Sequence, residues 1–153
     1  MVATFRHRNL PQLLLQSREE LMQRFRPLLN KNGISEQQWR IVRALLDAGE
    51  LEPRQLGEMC LISSPSIAGV LTRMEDSGLI ERQRMPHDQR RVKVTLTVKA
   101  KKLAKNLTPH IEQQYQALEK TLGIQQLQSV YDALDTLLKN MENLNEKSPD
   151  DCS

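Results

Sequence analysis

The sequence predicts a mainly α-helical fold with a small two- or three-stranded antiparallel sheet, and three observations lead to this prediction. Apolar residues recur at helical spacing over most of the 153 positions. Two short helical stretches, Pro53–Cys60 and residues 65–77, are separated by a turn. Two stretches of alternating apolar and polar residues follow, at 79–84 and 91–97, joined by a polar turn at 85–90. This order predicts a winged helix-turn-helix head, with the strands as its wing, on a helical body.

The second helix of the pair has one apolar and one polar face. Ser64 is the expected N-cap, Pro65 takes the first helical position, and Gly78 suits the left-handed residue that ends many helices. The stripe expected to face the core is Ile67, Val70, Leu71 and Met74. Small and hydroxyl residues with one arginine on the other face suit close approach to a DNA major groove. The candidate DNA contacts are Ser63, Ser64, Pro65, Ser66, Thr72 and Arg73. The alternative interpretation is an ordinary amphipathic surface helix.

The predicted wing is rich in arginine. Guanidinium groups on a hairpin tip fit a narrow minor groove, where negative potential is concentrated. Asp88 precedes Arg90 by two residues and is expected to hold that arginine extended through a charge-assisted hydrogen bond. The candidate DNA contacts in the wing are Arg84, Asp88, Arg90 and Arg91. The alternatives are a solvated, charged hairpin, or a module that binds an acidic protein surface instead of DNA.

The composition is that of a mildly basic protein. Its formal net charge of +3 and pI near 9.0 are consistent with a nucleic-acid partner. Cys60 and Cys152 do not form a disulfide framework, which predicts a reducing compartment. No apolar run approaches the roughly 20 residues that cross a bilayer, and residues 1–10 lack the apolar region of a signal peptide. We therefore expect a cytoplasmic location and no membrane partner.

The first helix, expected over residues 10–30, contains an arginine in its apolar stripe. Because Arg18 cannot lose its charge, a buried Arg18 needs an anionic partner, either a glutamate of its own chain or a ligand. A third possibility is that it reaches the edge of the stripe. The next helix begins at Ser35, with Gln38 at capping-box spacing. Its expected buried face is Trp39, Val42, Leu45 and Leu46, with Arg43 at the margin.

Two helices follow the wing. Pro109 is expected to kink the first or end its first half, and Gly123 marks its end. The last helix, at residues 124–144, places one apolar face along its length: Leu127, Val130, Tyr131, Leu134, Leu137, Leu138 and Met141. Because the first and last helices are long and apolar on one side, we predict a symmetric homodimer built from them. The predicted divisions are a flexible arm (1–9), a helical dimerisation region (10–32 and 98–144), the winged head (33–97) and a disordered tail (145–153).

No pattern of catalytic, metal-binding or cofactor-binding residues is visible. The three histidines, His7, His87 and His110, have no metal-site spacing with either cysteine. Phosphate-binding glycine loops and nucleophile elbows are absent from the sequence. We therefore expect no enzyme activity and no cofactor. One alternative makes Cys60 a redox sensor, although its place at an apolar helix end predicts a small core residue.

The wing motif points to a known family. Asp88-Gln89-Arg90-Arg91 contains a D-x-R that recurs in the multiple-antibiotic-resistance regulator (MarR) family of winged-helix repressors, which this sequence resembles. The stretches SEQQWRIVRALL, CLISSPSIAGVLTRMEDSGLIER and DQRRVKVTLT resemble the subgroup that regulates homoprotocatechuate (4-hydroxyphenylacetate) degradation. The resemblance covers residues 10–141. Its departures are Ala68-Gly69 in the recognition helix and Ala100 where many members have glycine.

The resemblance implies a homodimer that represses by occupying a double-stranded DNA operator. A small phenolic or aromatic acid would bind the protein as effector and lower its DNA affinity. Because the effector pocket of this family lies against the first, second and fifth helices, Arg18 is implied as the partner of the effector carboxylate. The residues implied to line or flank that site are Met22, Trp39, Arg43 and Met59.

Overall fold

The computed structural model describes residues 2–146, and within them the chain forms six helices and three strands. In chain order the elements are α1 (Leu10–Lys31), α2 (Glu36–Ala48), β1 (Glu50–Leu51), α3 (Pro53–Cys60), α4 (Ser64–Asp76), β2 (Ile80–Met85), β3 (Asp88–Leu96), α5 (Val98–Leu122) and α6 (Ile124–Glu146). This confirms the predicted fold class. Helix α6 includes the first two residues of the predicted tail. The rest of that tail, Cys152 included, lies outside the described residues.

The sheet has three antiparallel strands in the order β1-β3-β2. Strand β3 pairs with β2 from Ile80 opposite Leu96 to Met85 opposite Asp88, with an irregularity between Arg84 and Met85. The predicted six-residue turn at 85–90 is therefore too long, because pairing continues to the two residues Pro86 and His87. Two-residue turns are the commonest connections in antiparallel hairpins. The polar residues that flank Pro86 and His87 therefore belong to the strands, although their composition suggested a longer turn.

The core of the head is apolar throughout. Among the described residues no polar or charged residue is buried, and the core is built from aliphatic side chains, Met74 and Cys60. The predicted stripe of α4 is buried as expected, and burial of Cys60 confirms its prediction as a core residue. The predicted face of α2 is wrong at two positions: Leu46 is exposed and Trp39 is half-buried, while Ile41 is fully buried. The buried face is rotated because Ile41, Val42 and Leu45 pack inward together.

The chain divides into two compact units at the junction of Ile111 and Glu112, within α5. All residues of the buried core lie in the first unit. Helix α5 continues through Pro109, so of the two predicted effects, a kink or an end to the first half, the end does not occur. Gly123, with φ +88°, ends α5 as predicted. Across residues 2–146, no helix combines the length and apolar character needed to span a bilayer.

Candidate nucleic-acid interface

A tight turn joins α3 to α4 and sets the start of the second helix. Leu61 adopts a left-handed conformation (φ 53°, ψ 49°), and the Ile62 amide donates to the Gly57 carbonyl at 2.9 Å. A Cβ at position 57 would lie 3.1 Å from the Ile62 carbonyl oxygen, so glycine permits this close approach. The exposed Leu61 was not singled out by the sequence reasoning, because its conformation carries no compositional signal of the kind that glycine gives.

The N-cap of α4 is Ser63, one residue earlier than predicted. The Ser63 carbonyl accepts from the amides of Ser66 and Ile67, each at 2.9 Å. Its hydroxyl donates to the Ser66 hydroxyl at 2.9 Å and makes no side-chain cap. Pro65 therefore lies at the second helical position, where its missing N–H still costs nothing. Ser64 becomes the first residue of the helix and not its cap.

The outward face of α4 is exposed and polar. All the candidate DNA contacts of this region are exposed, as groups that contact DNA must be: Ser63, Ser64, Pro65, Ser66, Thr72 and Arg73. The Thr72 hydroxyl donates to the Ala68 carbonyl at 3.0 Å and keeps its lone pairs for other donors. A Cβ at Gly69 would lie 3.3 Å from Arg73 Nη1, so the guanidinium extends back over this glycine. The smooth Ala68-Gly69 surface thus accommodates the arginine.

Most of the basic residues of the wing make ion pairs with glutamates of the head. Arg82 binds Glu75 of α4 through Nη2–Oε1 at 3.0 Å and Nε–Oε2 at 3.2 Å. Farther along the chain, Arg91 Nε lies 2.6 Å from Glu52 Oε1, and Lys93 Nζ lies 3.0 Å from Glu50 Oε2. These pairs link strands β2 and β3 to α4 and to the segment before α3.

The hydrogen bonds in these ion pairs favour the charged forms. The bond from Arg82 holds the pKa of Glu75 below its ordinary value, and the bond from Arg91 does the same for Glu52. Sequence reasoning did not find these three glutamates, because pairing across 7 to 43 positions depends on strand register. Glu52 and Arg91, for example, are separated by 39 residues.

Asp88 holds the backbone of Arg90 and not its guanidinium, which corrects the predicted contact. Its Oδ1 accepts from the Arg90 backbone amide at 3.0 Å. The cause is the short turn, which places the carboxylate beside the amide two residues on, in the manner of an Asx-turn. Nearby, Arg84 Nη1 donates to the Gln89 carbonyl at 2.8 Å. All four wing candidates, Arg84, Asp88, Arg90 and Arg91, are exposed.

The five candidate effector contacts differ in burial. Arg18 forms an ion pair with Glu36 of α2, with side-chain exposures of 47% and 21%. A glutamate of the same chain is therefore the partner of Arg18, which is one of the three possibilities that the sequence allows. Glu36 is also 3.3 Å from Arg26, which in turn binds Glu19 at 2.8 Å. Met22 and Trp39 are half-buried, whereas Arg43 and Met59 are exposed. Because Glu36, Trp39 and Arg43 are spaced at i, i+3 and i+7 on α2, they share one side of that helix.

Cys60 is enclosed and its backbone is held by an arginine. Arg40 Nη1 donates to the Cys60 carbonyl at 2.6 Å, at the end of α3. Burial raises the pKa of the Cys60 thiol, and the charge of Arg40 opposes this in part. A thiol of this kind forms less of the reactive thiolate. In the described part of the chain, no group of three or more acidic, histidine or cysteine side chains is placed to hold a metal ion.

The turn, the exposed face of α4 and the basic hairpin together define a winged helix-turn-helix protein. Residues 32–91 match the MarR family model. The chain is 40% identical to the HTH-type transcriptional regulator FarR of Neisseria gonorrhoeae over 86% of this chain and 90% of FarR. It is 33% identical to the homoprotocatechuate degradative operon repressor of Escherichia coli over 95% and 98% of the two chains. The chain belongs to the MarR family of transcriptional regulators.

A solved structure agrees with this assignment. The crystal structure of NadR in complex with 4-hydroxyphenylacetate matches with a TM-score of 0.79 and 38% sequence identity. The match covers 90% of this chain and 97% of that one. The predicted family and its subgroup resemblance are therefore confirmed, and the family consists of regulators and not enzymes.

Proposed function

We propose that this MarR-family regulator is a homodimeric repressor of an aromatic-compound catabolic operon. It binds a double-stranded operator through α4 and the wing, and a phenolic or aromatic carboxylate releases it. The observation that carries the proposal is the exposed polar face of α4 beside an arginine-rich hairpin that is fixed to the same head. Similarity to a homoprotocatechuate operon repressor supports the class of operon.

The recognition helix, α4, and the wing contact different parts of the duplex. Hydroxyl groups of Ser64 and Ser66 at the start of α4 reach phosphates or base edges, and Arg73 is suited to a guanine. Arg84 and Arg90 extend the contact into the neighbouring minor groove, whose negative potential attracts guanidinium groups. Because α4 lies in the major groove and the wing lies in the neighbouring minor groove, the two contacts favour the same position along the duplex.

Dimerisation is supported by the apolar face of α6. No residue of α6 is buried, although Val130, Tyr131, Leu138, Met141 and Leu144 are large apolar side chains with more than a third of their surface exposed. An exposed apolar face of this length is a typical protein–protein interface. A symmetric pair places two recognition helices on one face of a duplex, about 34 Å apart. Small changes in that separation forfeit base contacts worth about 1–3 kcal/mol each.

The effector site is proposed at the Arg18–Glu36 ion pair. An aromatic carboxylate would exchange with Glu36 as the acceptor for Arg18, with its ring against the half-buried Trp39. Because Glu36 is also 3.3 Å from Arg26, it retains a cationic partner after the exchange. Release of DNA requires the effector to bind the conformation with mismatched recognition helices more tightly than the DNA-bound one. The NadR complex with 4-hydroxyphenylacetate supports this class of ligand.

Effector titration tests the proposal. A fluorescent duplex from the region upstream of the gene is bound by the protein, and 4-hydroxyphenylacetate is added while anisotropy is followed. Arg18→Ala should raise the half-releasing concentration about tenfold or more, because a hydrogen bond to a charged group contributes roughly 1.5–3 kcal/mol. Arg24→Ala is the matched control, since Arg24 is exposed on the same helix. Equal release curves for wild type and Arg18→Ala would reject the site.

The redox alternative is tested in the same assay. Burial and a raised pKa of Cys60 both disfavour it. If peroxide alone releases the duplex and Cys60→Ser abolishes this response, the redox mechanism replaces the effector mechanism. If no duplex from the upstream region is bound in preference to a scrambled one, the wing serves another partner, such as an acidic protein surface.

A further inference from the structure

The Glu52–Arg91 ion pair lies at the edge of the proposed DNA-binding surface. Glu52 immediately precedes α3, and its amide donates to Gln55 Oε1 at 2.9 Å. Its carboxylate accepts from Arg91 Nε at 2.6 Å, and the side chains of Arg91 and Glu52 are 56% and 28% exposed. The pair lines a cleft of about 130 Å³ between the wing and the segment before α3. A guanidinium that is expected to contact DNA is therefore already bonded to a carboxylate.

Two carboxylates act on the Arg91 guanidinium. The hydrogen bond from Arg91 lowers the pKa of Glu52, and the repulsion from Asp88 opposes this only in part. Arg91 itself has a raised pKa, with Glu52 as the main cause and Asp88 as a smaller one. One guanidinium thus lies in the field of two carboxylates.

We infer that Glu52 is an autoinhibitory residue that competes with DNA phosphates for Arg91. The inference rests on the proposed function. Non-specific binding comes from the electrostatic attraction of cations to the phosphate backbone, so neutralising Arg91 weakens that term directly. On the operator, base contacts of α4 seat the head close to the duplex and bring a phosphate to Arg91, which then exchanges Glu52 for it. Because this exchange breaks the Glu52–Arg91 bond, the glutamate lowers affinity for the operator at least as much as affinity for random DNA.

Arg82 provides a contrast within the same wing. It binds Glu75 through two nitrogen atoms, and both side chains are more than half covered. That geometry fixes the strand to the recognition helix. Arg91 uses only Nε toward Glu52, and more than half of its side chain remains in solvent. A singly bonded, exposed guanidinium exchanges acceptors at lower cost than a doubly bonded one.

Glu52→Gln tests the inference, because glutamine keeps the shape of the side chain and removes its charge. The affinities for operator and scrambled duplexes of equal length are measured by anisotropy over a salt series. We expect operator affinity to rise about three- to tenfold and scrambled-duplex affinity to rise by a smaller factor. The slope of log affinity against log salt for the scrambled duplex should steepen by about 0.9, as for one more phosphate contact.

Two controls isolate the ion pair. Asp47→Asn removes the same charge from an exposed position on α2 and should change operator affinity much less than Glu52→Gln does. In an Arg91→Ala background, Glu52→Gln should have no further effect beyond that of Asp47→Asn. Thermal unfolding of each variant verifies that the head remains folded.

The outcomes separate this inference from the proposed function. The inference is overturned while the proposed function stands if Glu52→Gln changes neither duplex affinity by more than Asp47→Asn does. It is also overturned if Glu52→Gln lowers operator affinity, because Glu52 would then position Arg91 for DNA binding. If wild-type protein binds both duplexes equally at about physiological salt, the proposed function fails. A rise in affinity that persists without Arg91 reflects net charge alone and also overturns the inference.

Discussion

The head and the last helix both have regular apolar faces, but only the head buries its apolar residues. In the head, aliphatic side chains from α2, α3, α4 and the sheet are buried almost completely. Helix α6 has an equally regular apolar face, yet none of its residues is buried. The head therefore completes its own core within one chain, whereas α6 carries an apolar face that a second copy would cover. The following experiments test this contrast, from the largest expected effect to the smallest.

Truncating a core residue of the head should cost the most. Leu71 of α4 is 1% exposed, and Leu71→Ala should lower the free energy of unfolding by about 2–5 kcal/mol. Chemical denaturation at several protein concentrations measures this, and the loss should be the same at each. Leu61→Ala, at a position 86% exposed, should change stability by less than about 0.5 kcal/mol. Similar losses for the two variants would contradict the assignment of the core.

A charge on the apolar face of α6 should separate the two chains. Leu138 is 63% exposed, and in the proposed dimer Leu138→Glu leaves an unpaired carboxylate at the interface, at a cost of about 3 kcal/mol or more. Sedimentation velocity should show the dimer dissociating at concentrations where wild type remains intact. Asn140→Glu adds the same charge to the same helix at an exposed polar position and should leave the dimer unchanged. A dimer insensitive to both substitutions would place the interface elsewhere.

Removing one wing arginine should have an intermediate effect that is confined to DNA binding. Arg90 is exposed, and its guanidinium makes no ion pair with the described acidic residues. Arg90→Ala should lower operator affinity roughly tenfold and reduce the salt slope by about one, as expected for the loss of one phosphate contact. Thermal stability and dimerisation should not change. An unaltered salt slope would mean that the wing tip does not reach the duplex.

Thiol reactivity tests the burial of Cys60 in the head. Because burial raises the pKa of Cys60, less thiolate is present at a given pH than in the unfolded chain. In a Cys152→Ser background, native protein at about pH 8 should be alkylated by iodoacetamide at least tenfold more slowly than denatured protein, as followed by mass spectrometry. Equal rates would show that the thiol is accessible and ionised, and would favour the redox mechanism.

Local chemistry made much of the head predictable. Helix α3 has the predicted bounds, because Pro53 marks its first turn and Cys60 precedes the turn. Ser35 and Gln38 form the expected capping box, and Gly78 has the positive φ that its position required. Each of these features depends on residues within a few positions of one another, so the sequence alone carries the information.

Features that depend on distant packing were missed or misplaced. Strand β1 has only two residues and exists because Glu50 and Leu51 pair with β3. The partners of Arg82 and Arg91 follow from the register of the hairpin on the head, which no local pattern encodes. For α2, the apolar residues allow more than one buried direction, and contact with the rest of the head selects Ile41 over Leu46.

The stoichiometry and selectivity of the DNA complex test the central claim most directly. Sedimentation of the protein with a fluorescent operator duplex and with a scrambled one, at about 0.15 M salt, measures both together. The account predicts two chains on each operator and a preference over scrambled DNA of about a thousandfold or more. One chain per duplex, or equal affinity for the two duplexes, would contradict it.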